Sequence, residues 1–198
     1  HFPIDKGKGR LIQLLCRHLL LEKEQRLTSL SQVPIRMRCD ISQHIQRDIF
    51  FWGTYHYEKQ LLDLWLKRAR ESQVIFDVGA NIGIYSLYAA YTNSQSRVHA
   101  FEPTTEISNK LLEHIKLNNL ANITVNRIAV GKTDETGYVH ECRGDEDTNE
   151  GMNFVTTEVT QLCQPTSIRS LDSYCNEHNI SHIDLMKMDI EGGEYNAL

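Results

Sequence analysis

The stretch Val74-Ile-Phe-Asp77-Val-Gly79-Ala-Asn81-Ile-Gly83 limits what this chain can fold into more than any other. A short β-rich run meets a glycine turn, and the turn leads directly into Ile84, Leu87, Tyr88 and Tyr91 at helical spacing. Strand, glycine turn and helix in that order belong to a sheet whose strands run parallel and are joined by helical crossovers. The rhythm continues. Arg97–Phe101 reads as a second strand ending at Glu102-Pro103, and the helix after it carries Ile107, Leu111, Leu112, Ile115 and Leu117. A third strand runs from Asn122 to Val130 and closes at Gly131, and a fourth spans Ile183–Asp189, after which Glu191-Gly-Gly-Glu194 opens another helix. Strands alternating with helices define an α/β class, a mostly parallel sheet with helices on both faces.

Two regions depart from this rhythm. Residues 1–70 are helical in pattern, with Leu11, Leu14, Leu15, Cys16, Leu19 and Leu20, then Ile41, Ile45 and Ile49, then Tyr57, Leu61 and Leu64 at helical spacing. Between them Ile35, Met37 and Cys39 alternate with Arg36 and Arg38, which predicts a short strand over Val33–Cys39 with Pro34 at its edge. This part is expected to be an N-terminal helical cap, and residues 71–198 the sheet domain. Residues 132–165 hold plausible short strands at Tyr138–Cys142 and Phe154–Leu162, an antiparallel excursion at the sheet edge, before a helix from Ser170 to about His178.

Charge and cysteine usage narrow the function. The net charge of −5 offers no basic field for a nucleic-acid backbone. Asp134 to Glu158 holds eight acids against Arg143 alone, and eight bases precede residue 40 against three acids; both read first as solvated surface. The five cysteines, Cys16, Cys39, Cys142, Cys163 and Cys175, are scattered without a C-x-x-C pair, which fits reduced thiols in the cytoplasm rather than disulfides or zinc. No apolar run approaches the ~18 residues of a membrane span. The chain begins at His1, so its N-terminus carries no targeting evidence, and the Asn122-Ile-Thr and Asn179-Ile-Ser triplets are expected to be chance matches to a glycosylation pattern.

The glycine turn is not a G-x-G-x-x-G dinucleotide fingerprint, because position 81 is Asn. Gly131-Lys132-Thr133 is not a phosphate loop either, since Asn126 stands where the first glycine is needed. Glu102, at the carboxyl end of the second strand, is placed to accept hydrogen bonds from a ribose diol and disfavours a 2′-phosphate. Asp77 adds a carboxylate at the neighbouring strand end. Two acids and few bases suit an amine-bearing or cationic nucleoside better than a pyrophosphate.

Together these blocks resemble the FkbM family of S-adenosylmethionine-dependent methyltransferases. The resemblance rests on Asp77-Val-Gly79-Ala-Asn81-Ile-Gly83-Ile-Tyr-Ser86, Phe101-Glu102-Pro103, Asn122 to Gly131, Ser170-Leu-Asp172 and Lys187-Met-Asp189-Ile-Glu191-Gly-Gly-Glu194. Upstream, Gly53-Thr-Tyr-His-Tyr57-Glu58 resembles the family's tighter G-x-Y-E, leaving open whether Tyr55 or Tyr57 is equivalent. The resemblance implies a Rossmann-like class I methyltransferase fold with S-adenosyl-L-methionine held by Asp77, Gly79, Ala80, Asn81 and Gly83. Glu102 and Pro103 would face the ribose, with Asn126 and Ala129 near the adenine. It also implies O-methylation of a hydroxyl on a sugar or secondary metabolite. In that family the sheet continues through a helix and three more strands, so the domain is expected to be C-terminally truncated at Leu198 and the chain an inactive fragment.

Alternation places Lys187 and Asp189 on one face of the fourth strand with Ile183 and Leu185. Methyl transfer mainly requires donor and acceptor to be held ~3 to 3.5 Å apart, and a base is useful because the acceptor alcohol loses its proton. Asp189 is the first candidate for that base and Glu191 the second, while Lys187 pairs with Asp189. Two carboxylates alone do not make a Mg²⁺ site, and no metal is expected. His178 and His182 read as surface residues. Trp52, Tyr55, Tyr57 and Trp65 could form an aromatic lid over a sugar, although helix-face packing is the simpler reading. Two other functions stay open from the residues alone: an NAD-dependent oxidoreductase, and a non-catalytic module docking a basic partner on its acidic edge.

Overall fold

A computed structural model describes residues 25–140, 154–156, 163–190 and 193–197. The leucine-spaced segment before residue 25, Cys16, Cys142, most of the acidic run and Glu191 lie outside the described residues. The elements are β1 (Gln25–Ser29), β2 (Arg36–Asp40), α1 (His44–Trp52), a 3-10 turn (His56–Glu58), α2 (Lys59–Ala69), β3 (Val74–Val78), α3 (Ile84–Thr92), β4 (Arg97–Phe101) and α4 (Thr105–Leu117). They continue with β5 (Ile123–Asn126), β6 (Ile128–Val130), β7 (Glu135–His140), β8 (Phe154–Thr156), β9 (Cys163–Arg169), α5 (Leu171–Glu177), β10 (Leu185–Met188) and α6 (Glu194–Ala197).

The central sheet is parallel throughout, in the order β10-β3-β4-β5. The chain steps from β3 to β4 to β5 in one direction, then returns to place β10 on the other side of β3. Strand order therefore reverses between β3 and β10. All five residues of β3 are buried, as expected of a strand covered on both faces. Ile75, Val98 and Ala100 face α3 and α4, whereas Val74, Phe76, Val78 and Phe101 face Tyr174 of α5, giving helices on both sides. Leu185 packs with the first face and Met188 with the second. Ile183 packs with the second face, unlike Leu185, because strand alternation begins only at Leu185.

The excursion forms a second sheet in the order β6-β9-β7-β8, with β6–β9 parallel and the other pairs antiparallel. The expected third strand is thus two strands, parting at Arg127 between the sheets. The expected Tyr138–Cys142 strand begins earlier, at Glu135, and β9 is an additional strand. Pro165 is tolerated in β9 because β6 pairs only with Ser167–Arg169, so Pro165 has a ladder neighbour on one side alone.

The region read as a helical cap also contains a hairpin: β1 pairs antiparallel with β2. The predicted alternation holds in β2, where Met37 and Cys39, with Ile35 before them, are fully buried and Arg36 and Arg38 are exposed. Leu62 and Trp65 of α2 join them in one hydrophobic cluster with the central sheet and α3. His114 of α4 and Asn118, the residue that caps its C-terminus, dock the hairpin. Asn118 accepts from the Arg36 N–H at 2.8 Å and donates to its carbonyl at 2.7 Å, as a neighbouring strand would. Burial lowers the pKa of His114, favouring the neutral ring, whose Nδ1–H donates to the Ile82 carbonyl at 3.0 Å while Nε2 accepts from the Arg38 N–H at 3.1 Å.

Gly83, at the N-terminus of α3, has φ +93°, and a Cβ there would come within 2.1 Å of Leu111 Cδ1. Gly83→Ala is expected to cost about 1–3 kcal/mol, read as a lowered urea midpoint with unchanged slope. On the other face, His99 Nδ1 lies 2.8 Å from the Tyr174 hydroxyl, which donates onward to Asn126 Oδ1 at 3.1 Å. Burial, with Arg97 and His178 nearby, lowers the His99 pKa from 6.5 to about 4. The neutral ring's contribution is complete above pH 6.5 and is lost as pH falls toward 4. The stability difference between wild type and His99→Gln should therefore shrink by about 1.4 kcal/mol per pH unit across that window.

Candidate functional site

A cleft of about 530 Å³ opens beyond the carboxyl ends of β3 and β4. Val78, Gly79, Phe101 and Pro103 line its sheet side, Ile128, Ala129 and Ile168 the wall formed by the excursion, and Ile190 and Gly193 the segment after β10. Lys132, Thr133 and Glu135 add polar groups to the lining. That volume, a mixed lining with an apolar wall and the position at the strand-order reversal are what a small-molecule site on an open α/β sheet requires.

Lys187 stands at the reversal. Parallel register sets it beside Asp77, and its Nζ donates to the Gly79 carbonyl at 2.9 Å. The same ammonium lies 3.4 Å from Asp189 Oδ2, 4.0 Å from Asp77 Oδ1 and 5.3 Å from the centre of the Tyr85 ring. Asp77 is fully buried and accepts from the Ser86 hydroxyl at 2.6 Å. Burial raises its pKa, opposed by Lys187 and then by Ser86. Asp189 sits at the strand end with its side chain 57% exposed. One ammonium thus joins the glycine turn to a buried carboxylate and an exposed one.

Gly79, at φ +74°, has a structural requirement of its own: a Cβ there would lie 2.0 Å from the Asp189 carbonyl oxygen. The turn packs against the end of β10. Ala80 is buried, and Asn81, at φ 50°, donates its N–H to Glu102 Oε2 at 3.0 Å. Glu102 Oε1 accepts from the Thr104 N–H at 2.9 Å; the residue is buried and stands in sequence between Phe101 and Pro103, which line the cleft. Burial raises its pKa, while Thr104, Asn81 and Lys187 pull the other way. Each carboxylate oxygen keeps a lone pair for a further donor. Asn126 is otherwise occupied: its amide donates to the Ala100 carbonyl at 3.2 Å and accepts from Tyr174. Of the nine residues expected around a cofactor, Gly79, Pro103 and Ala129 line the cleft, with Glu102 between two lining residues. Asp77 and Gly83 lie in the supporting structure.

The aromatic residues divide. Trp65 is buried, donates to the Tyr85 carbonyl at 2.9 Å and packs edge-on against that ring. Trp52 stacks on His56, and Tyr57 lies near Tyr55 and His44 at the surface. His182 is an exposed partner of Asp184, whose carboxylate accepts from the Gln73 and Val74 N–H groups. Among the described residues no group of three metal-ligating side chains converges. Glu58, marked in the sequence only as the end of the segment resembling G-x-Y-E, accepts the Tyr85 hydroxyl at 2.6 Å across 27 residues, a pairing that spacing does not report. Burial raises the Tyr85 pKa well above that of an ordinary phenol, and the Glu58 hydrogen bond adds to the shift.

A family model, the methyltransferase FkbM domain, matches residues 77–198. The chain is similar to Methyltransferase 1 of Beauveria bassiana, 25% identical over 144 residues, covering 65% of this chain and 58% of that protein. It is also similar to the hexuronic acid methyltransferase AglP of Haloferax volcanii, 27% identical over 141 residues, covering 71% and 55%. The chain spans a little over half the length of these relatives. Among solved structures it is similar to the putative transferase PH0793 of Pyrococcus horikoshii, at 16% identity and TM-score 0.43, covering 63% of this chain and 51% of that one.

Removing the ammonium at the reversal would leave Asp77 buried without its cation. Lys187→Met is expected to lower unfolding stability by about 2–4 kcal/mol, most of it recovered when Asp77→Asn is added, measured as the coupling in a double-mutant cycle.

Proposed function

Since the chain belongs to the FkbM methyltransferase domain family, we propose that it transfers a methyl group from S-adenosylmethionine to a hydroxyl group of a small acceptor. The observation that carries this reading is the junction at which Lys187 ties the Gly79 turn to Asp189 beside the cleft. The residues fit such a cofactor: an apolar wall of Pro103, Ile128 and Ala129 suits a purine, and Glu102 between lining residues retains acceptor capacity for ribose hydroxyls. The cofactor supplies, when bound, a methyl group already activated by a sulfonium.

The protein's share of the reaction is positioning and proton handling. Lys187 holds the Gly79 carbonyl and so fixes the turn that would support the cofactor's amino-acid end. Asp189, exposed at the strand end, takes the proton that the acceptor hydroxyl loses as the new C–O bond forms, with Glu191 as the second candidate. Lys187, 3.4 Å from Asp189 Oδ2, positions that side chain at the strand end. The acceptor is a hydroxylated small molecule of sugar or secondary-metabolite type, a reading supported by the similarity to a hexuronic acid methyltransferase. Free thiols at Cys39 and Cys175 support a cytoplasmic setting.

Calorimetry with S-adenosylhomocysteine tests the reading. Wild type is expected to bind, and Glu102→Ala to bind about 10- to 100-fold more weakly, the worth of a charge-assisted hydrogen-bond pair. Absence of heat from the wild-type protein, with circular dichroism showing it folded, would sink the proposal.

A further inference from the structure

A lysine ammonium on its flexible stem goes where its surroundings send it, and around Lys187 several acceptors compete. The Gly79 carbonyl holds Nζ at 2.9 Å, and Asp189 Oδ2 stands at 3.4 Å. Asp77 Oδ1, wholly buried and without a hydrogen-bond donor, stands at 4.0 Å. Charge alone would draw the ammonium off a neutral carbonyl and onto one of the two carboxylates. Another group lies against it: the ring of Tyr85, whose centre is 5.3 Å from Nζ, within the range of a cation–π contact.

Tyr85 is fastened at both ends. Only 3% exposed, it takes the Trp65 indole N–H on its carbonyl at 2.9 Å, and the two rings meet edge to face. Its hydroxyl donates to Glu58 Oε2 at 2.6 Å. Donation to a carboxylate leaves the phenol ring richer in electrons, which strengthens its attraction for a cation. Burial, and then Glu58, hold the Tyr85 pKa far above that of an ordinary phenol, so the hydroxyl stays protonated and donating. Glu58 stands immediately before α2, yet its side chain makes no capping hydrogen bond to that helix and reaches Tyr85 instead. Gly79 lines the cleft, whereas Glu58 and Tyr85 do not. Their effect on the site runs through Lys187.

We propose that Glu58 and Tyr85 are positioning residues for the cofactor: they hold the Lys187 ammonium on the Gly79 carbonyl, so that cofactor affinity depends on a carboxylate of the cap that lies outside the cleft lining. The proposal rests on the methyl-transfer reading above and deepens it.

Calorimetry with S-adenosylhomocysteine and proton–nitrogen NMR of the lysine ammonium groups, both on the full chain, supply the test. In wild type the Lys187 ammonium signal, identified by its loss in Lys187→Arg, should be displaced upfield by the Tyr85 ring. Glu58→Ala, and Tyr85→Phe, which keeps the ring and loses the hydroxyl, should each reduce that displacement. Each should also bind S-adenosylhomocysteine about 3- to 30-fold more weakly, the range that a partly desolvated cation–π contact spans. Both remove the same hydrogen bond, so the double variant should bind as either single variant does, whereas independent losses of cap packing would multiply. Unchanged affinity in the single variants, an unmoved Lys187 signal, or multiplied losses in the double variant would each overturn the proposal. Absence of heat from wild type overturns the methyl-transfer reading beneath it, whereas wild-type binding matched by Glu58→Ala overturns the positioning role alone.

Discussion

The Lys187 ammonium is the contact on which the candidate site depends. At the strand-order reversal the Gly79 carbonyl and the carboxylates of Asp77 and Asp189 converge on this ammonium. Without a cation, Asp77 would be a buried carboxylate held only by the Ser86 hydroxyl, a costly arrangement in a low-dielectric interior. Lysine suits the position better than arginine would, because a compact ammonium can serve three differently directed acceptors at once. Its bond to the Gly79 carbonyl then makes the geometry of the turn and the setting of Asp189 a single structural problem.

The cap is tied into the same problem from the opposite direction. His114 bridges Arg38 of the hairpin and Ile82 of the glycine turn, adding directional bonds to the apolar packing of Met37, Cys39 and Ile82 in one cluster. A neutral imidazole does this well, donating through one nitrogen and accepting through the other, and burial favours that neutral form. Glu58 supplies the second tie through Tyr85. A segment outside the central sheet thus helps set the turn and the first residues of α3, which gives the cap a structural part in the site whatever it contacts at its outer surface.

Legibility in the sequence followed burial. Strand β3 was readable because every one of its residues is buried, leaving an apolar run broken only by Asp77 before the turn, and β2 because its alternation is clean. Strand β1 escaped notice because Gln25-Arg-Leu-Thr-Ser is exposed along most of its length and carries no core periodicity. Strand β9 escaped because Pro165 stands within it and only Thr166 and Ile168 point inward. The break at Arg127 lacks a glycine or proline to mark it. Within the site, the glycine turn, Glu102, Lys187 and Asp189 were visible as local motifs at strand ends. Glu58 and Tyr85 fell inside recognised motifs, but their contact with each other was not visible, nor was that of His114, since each acts through a partner far away in sequence and no spacing rule reports such pairs.

The excursion shows how a weakly periodic segment can still define a wall with some rigidity. Ile168 of β9 lies in register with Ala129 of β6 on one side and with Glu135 of β7 on the other. A Cβ on Gly131 would come within 2.5 Å of its Cγ2, and one on Gly137 within 2.4 Å of its Cδ1. A single branched side chain is therefore seated between two glycines, each of which lets its own strand approach closely. Ile168 also lines the cleft with Ala129. The spacing of that wall is set by the fit of one isoleucine, and close-packed interiors pass changes of even one methylene to their neighbours. The two glycines and the isoleucine thus do for the far wall what Gly79 and the Asp189 carbonyl do for the near one: a missing side chain on one element fixes how closely the next can approach.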